Sequence, residues 1–166
     1  MDIVKTDKKV KVGQTRKTLA RDARTIVETC SGINSRLAGR RITQFLDKRL
    51  AGTGLSASQL GLMAQIAVSS DDTLGALAVR TGLDQSTLSR NLRGLEREDQ
   101  VEIAIVEEDL RRRAVWLTEK GARTLEAAIP VWRRANAALA RLMKVNLARQ
   151  LADATEQLVG RRAKRS

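Results

Sequence analysis

The stretch TLGALAVRTGLDQSTLSRNLRGLE, Thr73–Glu96, sets two short apolar patterns on either side of Thr81-Gly82. The first is small and aliphatic, with Leu74, Leu77 and Ala78 on one side. In the second, Leu88, Leu92 and Leu95 share a narrow arc of a helix turning about 100° per residue, and Ser86, Arg90, Arg93 and Arg97 share the opposite arc. Ala78 lies four residues before Gly82 and Leu88 six after it. That spacing suits a helix-turn-helix unit, which needs a small residue at the helix crossing, a glycine at the turn and a buried aliphatic in the second helix. A packed bundle has no use for a face of hydroxyls and guanidinium groups, whereas a polyanion does. The hydroxyls of Ser86, Thr87 and Ser89 fall near the helix N-terminus, where backbone N–H groups and the helix dipole favour phosphate. The arginines behind them have the reach for guanine or backbone in a major groove. The plainer alternative is an ordinary solvated face; the helix-turn-helix spacing weighs against it.

Outward from this unit, the sequence predicts a first long helix from about Arg24 to Leu50, with Ile26, Ile33, Leu37, Ile42, Phe45, Leu46 and Leu50 at helical spacings and Gly52-Thr53-Gly54 at its end. Ser56 is the expected cap of a second helix through Leu60, Leu62, Met63, Ile66 and Ala67. Thr73 and Asp84 cap the third and fourth. Val101–Val106 has the β-branched content of a strand, Glu107–Leu110 turns, and Arg111–Leu117 returns. A hairpin after a helix-turn-helix is a wing, and Arg111, Arg112 and Arg113 near its tip are placed to enter a minor groove. Asp109, two residues before Arg111, suits a carboxylate–guanidinium brace of the tip. Thr118 caps a long helix through Leu125, Ile129, Trp132 and Leu142, which Pro130 should kink, and a last helix carries Leu147, Leu151 and Leu158.

Composition bounds the chemistry. The 166 residues allow one domain with extensions, and 42% hydrophobic residues supply a sizeable core. With no histidine and one cysteine, Cys30, the chain has neither a Cys/His zinc site nor a histidine base. Acidic pairs such as Asp71-Asp72 and Glu107-Glu108 sit in expected loops without a nucleophile, so no enzyme, cofactor or metal site is expected. The lone cysteine, the absence of an apolar leader and of any bilayer-length apolar segment lead to the expectation of a cytoplasmic protein without membrane contact. The net charge of +12 is concentrated at the ends: residues 1–21 hold seven Lys/Arg and two Asp, residues 160–166 four Lys/Arg and no acid, leaving 20 bases and 17 acids between. Residues 1–22 and 159–166 are read as disordered basic arms that attract phosphate, or as plain solubilising tails.

The residues quoted so far, in order Thr87-Leu88-Ser89-Arg90-Asn91-Leu92, Asp109-Leu110-Arg111 and Leu117-Thr118-Glu119-Lys120-Gly121, resemble the MarR family of winged-helix transcriptional regulators. The likeness extends from Asn34-Ser35-Arg36-Leu37-Ala38-Gly39-Arg40 and Thr43-Gln44-Phe45-Leu46-Asp47 to Pro130–Ala135. It implies a mainly α fold with a small β-wing. The domain would span 23–158, with a DNA-binding module over about 56–117 and dimerisation helices over about 24–50 and 118–158. It also implies a triangular homodimer reading a pseudo-palindromic operator. The chain departs from the family at Leu110, where Arg is frequent after the wing aspartate, at Asp99-Gln100, where Gly then Leu is common, and at Leu46, where an aromatic is frequent. Asp tolerates the left-handed conformation that such a turn needs.

The resulting expectation is a dimeric, sequence-specific regulator of transcription, a repressor, that binds double-stranded DNA through Gln85, Ser86, Thr87, Ser89, Arg90, Arg93, Arg97 and Arg111–Arg113. The alternatives are a winged-helix module for non-specific DNA binding or protein contacts and, for the terminal helices, a monomeric bundle. A small aromatic or anionic effector is expected beside Arg40, Met63 and Trp132. Cys30, with Arg24 and Arg36 within two turns, is either a redox-sensing thiol or a small residue at a helix contact.

Overall fold

The computed structural model describes residues 17–69, 73–106, 109–144 and 146–158. The chain divides into two units, Met1–Ile42 and Thr43–Ser166. In the first, helix α1 runs over Lys17–Thr29 and α2 begins at Ser31 and continues to Leu50. This corrects two expectations: the helical region begins inside the stretch read as a disordered arm, and the long first helix is broken at Cys30. The break has a local cause. The Asn34 side-chain amide donates to the Glu28 carbonyl at 3.0 Å, the acceptor that a continuous helix would offer to the Gly32 N–H. Thr25 and Thr29 also bond back to the carbonyls four residues earlier, a habit that bends helices. Leu19, Ile26 and Val27 on α1 are exposed.

In the second unit, the last turns of α2 carry Leu46 and Leu50 into or against the core, and the Arg49 guanidinium lies 3.5 Å from the Phe45 ring centroid. A 3₁₀ turn, Ala51–Thr53, follows and stops at Gly54 in the left-handed region. Helix α3 (Ala57–Ala67) starts from a capping box between Ser56 and Gln59, and the Asp47 carboxylate accepts from the Ala57 N–H at 2.7 Å. Thr73 caps α4 (Leu74–Thr81), Gly82 turns the chain at φ 62°, and Asp84 caps α5 (Gln85–Arg97). The expected helix-turn-helix is thus present with its caps.

Asp99 adopts φ 56°, the left-handed turn the sequence called for, and delivers the chain into β1 (Val101–Val106). Strand β2 (Asp109–Leu117) pairs antiparallel to it, from Val101 opposite Leu117 to Ile105 opposite Arg113. A bridge from Thr73 to Ala114 ties α4's entry to this hairpin. Helix α6 (Glu119–Ala140) is capped by Thr118 and runs on through Pro130, and α7 (Asn146–Thr155) ends in a 3₁₀ turn, Glu156–Leu158. The core lies where α3 packs on α4, α6 and β2, with Leu50, Met63, Leu77, Leu92, Leu95 and Val115 fully buried.

Candidate nucleic-acid interface

Helix α5 separates its two faces as the spacing predicted. Leu88, Leu92 and Leu95 are at most 3% exposed, while Gln85, Ser86, Arg90, Arg93 and Arg97 are all exposed and Thr87 and Ser89 half-buried. Burial of the leucines therefore pins the rotation of the helix and turns the cationic stripe outward. The Arg90 Nε donates to the Ser86 carbonyl and the Arg97 Nε to the Arg93 carbonyl, each at 3.3 Å, so both side chains lie along the helix toward its N-terminus.

That N-terminus carries an anion of its own. The Asp84 Oδ1 accepts from the Ser86 hydroxyl at 2.6 Å and from the Thr87 N–H at 2.9 Å, and Oδ2 accepts from the Thr87 hydroxyl at 2.8 Å. The Ser86 hydroxyl first, then the Thr87 amide and hydroxyl, hold this carboxyl well below the usual carboxylate range. The sequence marks Asp84 as a cap; the structure adds that the Ser86 and Thr87 hydroxyls turn back onto its carboxylate. The signal was present as hydroxyls two and three residues after an aspartate cap.

On the wing, Arg113 is exposed opposite Ile105. The register shifts between Ile105 and Val106, whose partner is Asp109, so Leu110, Arg111 and Arg112 fall between the paired positions. The expected Asp109–Arg111 brace, and the side chain of Arg112, lie outside the described residues. Farther along, the Trp116 indole N–H donates to Glu102 across the strands at 3.2 Å.

The C-terminal end of α5 is fastened to the start of α6 by backbone acceptors. Lys120 Nζ donates to the Glu98 carbonyl and the Thr118 hydroxyl to the Asp99 carbonyl, both at 2.6 Å. The Thr118 N–H donates to the Gln100 carbonyl at 3.2 Å. A Cβ on Gly121 would stand 1.9 Å from that same Gln100 oxygen, so the close approach requires glycine. The Gln100 side chain is buried, and its Oε1 has no partner among the described residues. None of this junction was visible in the sequence beyond the Thr118 cap.

A cavity of about 460 Å³ opens between the 3₁₀ turn and α6, lined by Gly52, Thr53, Lys120, Arg123, Thr124, Ala127, Ala128 and Val131. None of the three residues expected around an effector lines it. Met63 is fully buried in the core, which corrects its assignment to a pocket wall, while Trp132 is partly exposed and Arg40 exposed. Cys30 is half-buried at the break between α1 and α2. Among the described residues there is no cluster of three potential metal ligands, and no helix is long and apolar enough to cross a membrane.

With this geometry in place, comparison with known proteins decides the family. The MarR-family sequence profile matches residues 53–112, the stretch from the 3₁₀ turn into β2. The transcriptional regulator MosR of M. tuberculosis, solved in complex with DNA, is 30% identical over 78% of this chain and 96% of its own, with a TM-score of 0.70. The chain belongs to the MarR family. Family membership makes it a relative of transcriptional regulators and not of enzymes. Two solved structures of lower identity share the fold. A mutant of MarR from E. coli complexed with operator DNA is 18% identical, with 81% and 97% of the two chains covered and a TM-score of 0.67. PcaV from Streptomyces coelicolor, in complex with its natural ligand, is 20% identical, with 78% and 96% covered and a TM-score of 0.66. No curated protein sequence matches the chain significantly.

Proposed function

We propose that this MarR-family protein is a cytoplasmic, homodimeric, sequence-specific transcriptional repressor that places α5 in the major groove and its β-wing against the neighbouring minor groove. One observation carries the reading: Ser86, Arg90, Arg93 and Arg97 form a solvent-facing stripe on a helix whose other face is locked into the core by three leucines. Arginine at such positions suits bidentate recognition of guanine, and the DNA complexes of MosR and MarR share this fold. The terminal helices supply the support for a dimer. Leu19, Ile26 and Val27 on α1, and Leu147 and Leu151 on α7, are exposed apolar side chains that a second chain would cover. Two-fold symmetry then calls for an inverted-repeat operator with half-sites roughly 10 base pairs apart.

Release by a small ligand is part of the proposal. The cavity beside α6 offers Lys120 and Arg123 to an anionic group and Ala127, Ala128 and Val131 to a hydrocarbon or aromatic face. A ligand there would act by preferring a helix spacing that does not fit DNA. The test is selection and sequencing of genomic fragments bound by the purified protein, with sedimentation in parallel. An enriched inverted repeat and a dimer are expected. Uniform coating without enrichment would replace specific regulation by non-specific DNA binding through the basic ends, and a single 18.3 kDa species would remove the dimer.

A further inference from the structure

A hydroxyl has one hydrogen to donate and two lone pairs to accept with. In α5 the hydrogens of Ser86 and Thr87 are both committed to one carboxylate: Ser86 Oγ to Asp84 Oδ1 at 2.6 Å and Thr87 Oγ1 to Asp84 Oδ2 at 2.8 Å. The Thr87 N–H, one of the donors a bare helix N-terminus would offer to phosphate, also goes to Asp84. What the Ser86–Thr87 hydroxyl pair turns toward a ligand is therefore lone pairs beside a negative charge. Phosphate oxygens, being acceptors and anionic, are the wrong partner for it. Base edges are different. In the major groove adenine N6 and cytosine N4 are donors, while guanine O6 and N7 and thymine O4 are acceptors. Ser86 is exposed on the same face as Arg90, so the acceptor and the guanidinium address neighbouring parts of one surface.

We propose that Asp84 fixes the polarity of the Ser86 and Thr87 hydroxyls, making the tip of α5 a hydrogen-bond acceptor that selects an amino-bearing base, adenine or cytosine, on the contacted strand against guanine or thymine. Asp84 is then a specificity-determining residue without touching DNA. Its charge, which an aspartate carries at neutral pH in any case, also turns the helix tip away from phosphate and leaves backbone contacts to the arginines behind it. This inference rests on the reading of α5 as the recognition helix, and the experiment separates the two.

The full chain is used to select duplexes from a library with a randomised core, as wild type and as Asp84→Ser, Ser86→Ala, Thr87→Val and Arg90→Ala. Serine is a preferred helix cap, so Asp84→Ser keeps an acceptor for the Thr87 N–H while removing the carboxylate that holds the hydroxyls. Wild type should prefer adenine or cytosine at the half-site position that Ser86→Ala or Thr87→Val erases. Asp84→Ser should weaken or invert that preference by roughly two- to tenfold, the worth of one neutral hydrogen bond, and leave the other positions as they were. An unchanged preference in folded Asp84→Ser, or guanine or thymine at the position the hydroxyl variants erase, overturns the inference. The second criterion holds even where Asp84→Ser does not fold. If Arg90→Ala alters base preference while Asp84→Ser does not, only this inference falls. If Ser86→Ala, Thr87→Val and Arg90→Ala all leave every position unchanged, α5 is not the reading helix and the proposed function falls with it.

Discussion

Gly121 sits so close to Gln100 that a single added methyl would stand 1.9 Å from the Gln100 carbonyl oxygen. The contact joins the first turn of α6 to the residue that leads from α5 into β1, and the Thr118 N–H reinforces it by donating to the same oxygen. Because the obstacle is backbone, no rotamer relieves it. Gly121→Ala should cost about 3 kcal/mol of stability, at the upper end of overpacking. A fall in the urea midpoint at constant slope checks this, and a midpoint within error of wild type would show that α6 shifts freely.

Gln100 itself carries a buried Oε1 without a partner among the described residues. An unsatisfied buried acceptor costs about 1–3 kcal/mol, whereas a leucine of similar shape leaves no polar atom behind. Gln100→Leu should therefore stabilise the fold by about 1 kcal/mol and raise the melting temperature. A lower melting temperature would mean that the amide is satisfied by solvent.

The stripe on α5 predicts two kinds of loss. Arg90→Ala or Arg93→Ala should weaken specific binding by about 1–3 kcal/mol where the arginine contacts guanine in both directions of its fork. Where it touches phosphate, the loss should be equal across sequences and the salt dependence shallower. Fluorescence anisotropy with operator and scrambled duplexes at several salt concentrations distinguishes them. Leu88→Ala acts differently, through a cavity that should cost roughly 2–5 kcal/mol of stability, because Leu88 is 3% exposed.

Asp84 predicts a pH dependence with a definite sign. Its folded pKa lies below the ordinary 3.8, so the unfolded chain takes up the proton first as pH falls. The stabilisation from this carboxylate is complete above the ordinary value and is lost as pH drops through it toward the folded one. The stability gap between wild type and Asp84→Ser should thus narrow when measured from about pH 6 down to about pH 3. A gap that widens on acidification would contradict the hydrogen-bonded carboxylate.

The features legible in the amino-acid order are those made by neighbours in the chain. Ser56, Thr73, Asp84 and Thr118 each cap a helix through an N–H three residues on, so residue type and position suffice to find them. The two arcs of α5 and the left-handed turns at Gly82 and Asp99 follow from helical periodicity and from side chains that tolerate positive φ. Periodicity says that a residue faces inward, not what it meets there. Met63 satisfied the pattern of a pocket wall and of a core residue equally, and packing of α3 against α4, α6 and β2 made it core. The break at Cys30 depends on which carbonyl the Asn34 amide takes, and a hydroxyl such as Ser86 has several acceptors within reach until the cap geometry chooses one. The meeting of Gln100 with Gly121 needs a whole hairpin to bring the two together, so tertiary structure alone decided it.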